Sequence, residues 1–119
     1  MEKNEALAAL AALAQETRLD IYRLLVQTGP DGMPAGHIGD ELGLPSATLA
    51  FHLKELKHAG LVTFTRNGRS LIYAAKYPTM NALLSYLSEN CCGRGTDQCL
   101  PTLPADVVVK RTPQMQRSS

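Results

Sequence analysis

The stretch of sequence that decides the fold runs from Leu42 to Tyr73 and reads LGLPSATLAFHLKELKHAGLVTFTRNGRSLIY. Its first half carries leucines at helical spacing, which places them on one face of a helix: Leu49, Leu53 and Leu56. Pro45 and Ser46 are typical of a helix start, and Gly60 is typical of a helix end. The first half of the stretch therefore predicts one amphipathic helix with its leucines facing the core.

The second half of the stretch changes from a helical period to an alternating one. Apolar Val62 and Phe64 alternate with threonines, and beyond Asn67-Gly68 the alternation resumes through Leu71 and Tyr73. Asn-Gly between two alternating runs is a strong hairpin signal, because both residues of such a turn take positive φ angles. We therefore predict two antiparallel strands that are joined by a turn at Asn67-Gly68.

Helical patterns flank this stretch on both sides. A first amphipathic helix is indicated by Leu7, Leu10 and Leu13. In the second helix, within residues 16–30, apolar residues are so dense that we expect nearly all of its sides to be covered, and Gly29-Pro30 ends it. A polar turn at residues 31–34 leads to a short third helix, which Gly43 ends. The final helix is predicted from one apolar stripe: Met80, Leu83, Leu84 and Leu87.

The order of these elements predicts an α+β, mostly helical fold of the form α-α-α-α-β-β-α. Two helices joined by GLPS at residues 43–46 have the spacing of a helix-turn-helix, and a hairpin directly after them forms a wing. We therefore predict a winged helix-turn-helix domain over residues 1–90. Residues 91–119 are predicted to be a cysteine-containing loop followed by a loosely ordered tail.

The composition is that of one ordinary globular domain. The chain has 119 residues, 45% of them hydrophobic, and no apolar run approaches the length that spans a bilayer. Its Ala/Leu-rich start has helical spacing and acidic flanks, so it is interpreted as part of the fold rather than as an export signal. These features predict a cytoplasmic protein without a membrane partner and without a disulfide framework.

The net charge of +1 conceals a basic middle third. Residues 1–44 hold three Lys or Arg against seven Asp or Glu, whereas residues 45–76 hold five Lys or Arg against a single Glu. A solvated surface is the simplest interpretation of charge alone. In combination with a helix-turn-helix, however, a basic segment on a nearly neutral chain favours a face that binds a polyanion such as DNA.

The helix predicted after Pro45 offers a face for reading DNA on the side away from its leucines. Phe51, which has small neighbours, suits contact with thymine methyl groups, and Thr48 suits a base edge or a phosphate. Lysines on the helix and arginines in the wing suit phosphates, and the wing can also reach the minor groove. Packing under the wing or in an interface is an alternative for Phe51, and a hydrogen-bonded structural role is an alternative for His52. The candidate DNA-binding residues are Ser46, Ala47, Thr48, Phe51, His52, Lys54, Lys57, Arg66 and Arg69.

These residues resemble the core of the ArsR/SmtB family of winged-helix repressors. The resemblance is carried by the stretch from Leu42 to Tyr73 and by the preceding LAQETRLDIYRLL at residues 13–25, and it covers about residues 5–90. It implies a homodimer built on the first and last helices and binding to double-stranded operator DNA. It also implies that the DNA is released when a metal or metalloid binds, and that the protein is a transcriptional repressor rather than an enzyme.

All three cysteines lie within nine residues of one another, at Cys91, Cys92 and Cys99. They resemble the C-terminal three-cysteine sites of some arsenic-responsive members of the family. Three thiolates without a nearby histidine select soft ions, whereas structural zinc usually takes four protein ligands, so the predicted inducer is arsenite or antimonite. Neighbouring residues on a helix point about 100° apart, so we expect the last helix to end near Asn90 if Cys91 and Cys92 bind one ion.

Other interpretations of the three thiols stay open at the level of the sequence. Cadmium or lead can also occupy three sulfurs, Cys99 can pair with Cys91 or Cys92 in a redox-sensing repressor, and a vicinal pair can bind an organoarsenical. The thiols can also be incidental. A thiol enzyme with a phosphate-binding loop is disfavoured, because no arginine stands six positions after any cysteine; those positions are Asp97, Gln98 and Ala105.

Overall fold

A computed structural model of the chain describes residues 1–91. The elements follow the predicted order, with one short strand added between the second and third helices. They are α1 (Lys3–Leu13), α2 (Glu16–Thr28), β1 (Met33–Pro34), α3 (Ala35–Leu42), α4 (Ser46–His58), β2 (Val62–Asn67), β3 (Ser70–Ala75) and α5 (Tyr77–Ser88). Within residues 1–91, no helix is both long enough and apolar enough to cross a membrane. The winged helix-turn-helix prediction is confirmed, and the predicted tail lies outside the described residues.

The first helix packs on its alanines rather than on its leucines. The buried residues of α1 are Ala6, Ala9 and Ala12. Leu7 is 56% exposed and Leu10 is 39% exposed, so two of the leucines that indicated an amphipathic helix lie at the surface. Small side chains let α1 approach its neighbours α2 and α4 closely, which leaves the larger apolar side chains of α1 at the surface.

The second helix is less enclosed than its dense apolar sequence indicates. Ile21, Tyr22 and Leu25 are buried, but Leu19 is 42% exposed. The expectation that nearly all sides of α2 are covered is therefore wrong within residues 1–86, which form one unit of the chain. The reason is geometric, since Leu19 lies two positions from Ile21 and so points to a different side of the helix.

The helix-turn-helix is formed by α3 and α4, and Gly43, Leu44 and Pro45 join them. Gly43 adopts a left-handed conformation with φ of 67°, and the Leu44 N–H donates to the Gly39 carbonyl at 2.9 Å. The predicted core face of α4 is confirmed by the burial of Leu49, Leu53 and Leu56. Those leucines join the core with Ile21, Leu25 and Ile38, so the orientation of α4 is set by apolar packing.

The wing is an antiparallel hairpin whose turn lies one residue later than predicted. Asn67 pairs with Ser70, so the two loop residues are Gly68 and Arg69. Of the two loop residues, Gly68 has a positive φ of 65° and Arg69 does not. This matches a turn with glycine at its first central position. The predicted Asn67-Gly68 turn, with two positive φ angles, is therefore wrong in register, and Arg69 lies within the loop itself.

A third strand completes the sheet, in the order β1-β3-β2. Met33 pairs with Tyr73 and Pro34 pairs with Ile72, in a segment that the sequence had indicated to be a polar turn. Pro34 lacks an N–H group but is tolerated because β1 is an edge strand. The chain reaches this edge through Gly32, whose position leaves no space for a side chain against the Tyr73 carbonyl.

Candidate nucleic-acid interface

One side of α4 is exposed over its whole length, opposite the buried leucines. Phe51 lies on this side and is 55% exposed, which does not fit packing under the wing within the single chain. Its ring meets the ring of His52 edge to face, with centroids 5.2 Å apart. Of the predicted contact residues, those exposed on α4 are Ser46, Ala47, Thr48, Phe51, Lys54 and Lys57. The helix thus offers small, aromatic and cationic groups on one accessible face.

The N-terminus of α4 has no side-chain cap. Pro45 occupies the N-cap position and its side chain offers no acceptor, so within residues 1–91 no N-cap side chain bonds to the first backbone N–H groups of the helix. Ser46, Ala47 and Thr48 in this first turn are exposed. Uncapped N–H groups and the positive end of the helix dipole favour an anion at this position, as a DNA phosphate would supply.

A cation–π contact joins the recognition helix α4 to the wing. The Lys57 ammonium lies 4.6 Å from the centroid of the Phe64 ring. Phe64 in turn packs against Tyr73 on the neighbouring strand, with ring centroids 5.6 Å apart. The alternation had marked Phe64 only as a strand residue, and no spacing in the sequence indicated that its ring lies beneath Lys57. Phe64 therefore restricts the position of a cation that the sequence predicted to bind phosphate.

The two wing arginines are exposed, as a role in binding DNA requires. Arg66 is in β2 and pairs in register with Leu71, while Arg69 lies in the two-residue loop at the tip. With Lys57 beside β2, the hairpin carries cations along its strand and at its end. This distribution is typical of a wing that follows the phosphate backbone of a duplex.

His52 differs from the other candidate residues because it is buried. It is 8% exposed, and its Nδ1 lies 3.3 Å from Nη1 of Arg18 in α2. A direct phosphate contact from His52 is therefore not supported, since a phosphate cannot reach a side chain that lies inside the fold. The structural alternative is favoured, and its partner Arg18 had not been singled out because 34 residues separate the two in the chain.

Comparison with known proteins identifies the fold family. A family model described as a helix-turn-helix domain matches residues 13–63. The transcriptional activator HlyU of Vibrio cholerae is 30% identical over 94 residues, which cover 77% of this chain and 84% of HlyU. An ArsR-like transcriptional regulator from Rhodococcus superposes with a TM-score of 0.63 at 29% identity, covering 71% of this chain and 77% of that one. The chain belongs to the ArsR-like winged helix-turn-helix transcriptional regulators.

A further solved relative of this ArsR-like regulator is described as homodimeric. It is the winged helix-turn-helix DNA-binding domain Mb0332 from Mycobacterium bovis, itself a possible ArsR-family regulator. The two share 27% identity and a TM-score of 0.60, over 73% of this chain and 81% of Mb0332. In this ArsR-like regulator, α3 and α4 form the helix-turn-helix, and β2 and β3 form its wing.

The predicted cysteine site falls at the end of the described part of this regulator. The last helix ends at Ser88, and Asn90 adopts a left-handed conformation with φ of 57°. Cys91 follows beyond the end of α5 and is half-buried. Cys92 and Cys99 lie outside the described residues. Within residues 1–91, no three His, Cys, Asp or Glu side chains are grouped closely enough to hold a metal ion.

Proposed function

We propose that this regulator binds a symmetric operator duplex as a homodimer, with α4 in the major groove and the wing along the phosphate backbone. The observation that carries the proposal is the accessible face of α4, which presents Phe51 and Lys54 opposite the buried leucines. The uncapped start of α4 and the cations of the wing extend this face with groups that suit phosphates. Direct reading of sequence is assigned to Phe51, against thymine methyl groups, and to Thr48.

The homodimer is supported by the apolar surface that α1 leaves exposed. Leu7 and Leu10 lie three residues apart on this helix, so they share one face, and the buried alanines Ala6, Ala9 and Ala12 lie towards the core. Neighbouring apolar side chains exposed on one helix face suit a site of protein association. The homodimeric Mycobacterium bovis relative favours the same assembly.

The DNA-reading face can be tested by comparing phosphate contacts with base contacts. A duplex selected by the wild-type protein from a random pool serves as the specific target, and a random duplex serves as the reference. Arg66→Ala and Arg69→Ala are expected to weaken binding to both duplexes by a similar factor. A plot of log affinity against log salt has a negative slope, and each lost phosphate contact should make that slope shallower by about 0.9. Phe51→Ala is expected to weaken binding to the selected duplex more than binding to the random duplex.

The matched control for the charge changes is Arg23→Ala, because Arg23 is an exposed arginine on α2, outside α4 and the wing. Its salt slope should remain that of the wild type. If Phe51→Ala leaves the ratio of the two affinities unchanged, the assignment of Phe51 to thymine methyl groups is wrong. If the wild type does not distinguish the two duplexes, the proposal of operator binding fails.

The proposal further assigns a repressor role that ends when trivalent arsenic, or antimony, binds Cys91, Cys92 and Cys99. Its support is the clustering of all three thiols of the chain within nine residues, with no histidine among them. The left-handed Asn90 and the end of α5 at Ser88 support it, because Cys91 then lies beyond the α-helix. Ligand capture at this end of α5 would change the helix expected at the dimer interface, with a coupling of about 1–3 kcal/mol.

The inducer can be tested by titrating the complex with the selected duplex. Arsenite is expected to release the DNA from the wild type, and Cys91→Ser, Cys92→Ser and Cys99→Ser are expected to bind DNA normally but to respond weakly or not at all. Three As–S bonds replace three As–OH bonds of arsenite, and the three thiol protons leave with the hydroxyl groups as water, so the response to arsenite should change little with pH below about 8.5. A reporter gene repressed without arsenite and expressed with it would establish the direction of regulation.

Parallel titrations with antimonite, cadmium, lead, zinc and peroxide separate the alternatives. Full induction of Cys99→Ser by arsenite would contradict the three-sulfur site and favour a vicinal pair. Release by cadmium or lead, but not by arsenite, would identify a different soft ion. Release by peroxide alone would identify a redox-sensing regulator.

A further inference from the structure

One guanidinium, that of Arg18, connects three helices of the domain. Its Nε donates to the Ala12 carbonyl in the last turn of α1 at 2.7 Å, and its Nη1 lies 3.3 Å from Nδ1 of His52 in α4. The backbone N–H of Arg18 donates to Oε1 of Gln15, the N-cap residue of α2, at 2.9 Å. Backbone and side chain of Arg18 are thus both held, and the side chain links α1 to the recognition helix.

The chemistry of this link determines the form of the imidazole. Arginine offers only donors, so Nδ1 of His52 is the acceptor in the contact with Nη1. While this contact is made, Nδ1 carries no proton and the proton of the ring is on Nε2. A second proton, on Nδ1, would remove the acceptor and set two cations against each other in a part-buried site.

The same guanidinium completes the end of α1. The last turn of α1 contains no basic residue, and the final carbonyls of a helix have no partners within it. Arg18 supplies a charged donor to one of these carbonyls from the start of α2. Any displacement of the α1 end would therefore also move a group that is bonded to α4.

We infer that Arg18 and His52 are positioning residues that hold the recognition helix in the orientation needed to read DNA. His52 is the residue directly after Phe51, and the two rings pack edge to face, so the orientation of His52 restricts the ring assigned to base contact. The hydrogen bond from Arg18 to the Ala12 carbonyl connects this restraint on α4 to α1, the helix proposed to form the dimer. The inference rests on the proposed function, because it concerns how operator binding is achieved.

Few other charged groups face this link among residues 1–91. A cavity bordered by Arg18 is lined by Glu55 and His58 of α4, and the α1 side of that cavity is formed by alanines. Glu55 is three residues after His52 on the same helix, and His58 is exposed.

The experiment compares two replacements of His52 in the full chain. His52→Asn keeps an acceptor at the place of Nδ1, and His52→Leu keeps a buried side chain without an acceptor. We expect His52→Leu to bind the selected duplex roughly tenfold more weakly, with random DNA little changed, since hydrogen bonds to charged groups are among the stronger ones. His52→Asn should bind within about twofold of the wild type. Urea unfolding of each variant corrects the affinities for the folded fraction.

One measurement on the wild type makes the test independent of whether His52→Leu folds. Nitrogen NMR of labelled histidine should show the proton of His52 on Nε2.

A proton on Nδ1 near neutral pH, or wild-type specificity in folded His52→Leu, would overturn the inference. Equal loss of specificity in His52→Asn and His52→Leu would show that the ring itself, rather than its acceptor, is needed. A wild type that does not distinguish selected from random DNA would instead count against the proposed function, while the NMR result would still decide the state of His52.

Discussion

Tyr22 and Tyr77 show how two similar side chains contribute differently to stability. The Tyr22 hydroxyl is buried and has no hydrogen-bond partner among residues 1–91, whereas the Tyr77 hydroxyl donates to the Val26 carbonyl at 2.9 Å. Burial raises the pKa of Tyr22 above its ordinary value of 10.0, and the nearby Tyr77 raises this pKa further. A buried hydroxyl without a partner loses its hydration and gains no bond in return.

We expect Tyr22→Phe to leave the free energy of unfolding unchanged or to raise it by about 1 kcal/mol, because the ring is kept and the unpaired hydroxyl is removed. The matched variant Tyr77→Phe should lower the free energy of unfolding by about 1 kcal/mol, because the Val26 carbonyl loses its donor. Urea unfolding of the two variants measures both effects. A larger loss for Tyr22→Phe than for Tyr77→Phe would show that the Tyr22 hydroxyl has a partner in solution.

The raised pKa of Tyr22 also predicts how stability changes at alkaline pH. The folded protein holds the phenolic proton more tightly than the unfolded chain, so this contribution is complete below about pH 10 and is lost as pH rises through the folded-state pKa. Tyr22→Phe should therefore lose less stability than the wild type between about pH 9 and about pH 11. Equal alkaline losses in the two proteins would contradict the assignment to Tyr22.

At the scale of elements, two glycines near the start of α3 have opposite roles. Gly32 has φ of 79°, and a Cβ atom there would lie 2.5 Å from the Tyr73 carbonyl oxygen. Gly36 is in the first turn of α3, and a Cβ atom there would meet nothing within 4 Å. Gly32 is therefore needed where β1 joins the sheet, while no contact requires a glycine at position 36.

We expect Gly36→Ala to raise the free energy of unfolding by about 0.5–1 kcal/mol, because alanine is the better helix former and the unfolded chain loses entropy. Gly32→Ala should lower it by about 1–3 kcal/mol through backbone strain and the clash with Tyr73. Thermal unfolding of both variants is the measurement. A stabilising Gly32→Ala would mean that β1 does not approach β3 as closely as the structure shows.

At the scale of the whole molecule, the surfaces proposed for association and for DNA binding lie on different helices and can be tested separately. Exposed Leu7 and Leu10 are on α1, and exposed Phe51 is on α4. We expect the double variant Leu7→Lys and Leu10→Lys to shift the protein towards monomer and to weaken binding to a two-half-site duplex, since two charges in an apolar interface lose their hydration. Phe51→Ala, the control, should remain dimeric and lose only specificity.

Sedimentation at micromolar concentration measures the oligomeric state of the wild type and of both variants. Binding to duplexes with one or two half-sites measures whether dimer formation strengthens DNA binding. A wild type that sediments as a monomer would remove the homodimer from the proposal. A double variant that remains dimeric would show that the leucine face of α1 is not the interface. It would instead favour an interface on α5, where Leu84 and Leu87 are exposed.

Much of the fold and of the DNA-reading face followed from local patterns. The period of the leucines in α4, the alternation after Gly60 and the Gly43-to-Pro45 turn are properties of short segments, and each predicted its element. The exposure of Phe51 and Lys54 followed from the same period, because a helix that buries one face must present the other. The clustering of the cysteines is equally a property of the sequence, while its function stays a prediction.

Only the tertiary structure decided which of several locally similar arrangements is used. In α1 both the alanines and the leucines recur at helical spacing, and close packing against α2 and α4 selected the alanines. Strand β1 has two residues, too few for a period, and it exists because it pairs with β3. Likewise, the burial of His52 against Arg18 and the contact of Lys57 with Phe64 join residues from different elements. Sequence periodicity reports the faces of one segment, whereas these contacts depend on how the shared core orients several segments together.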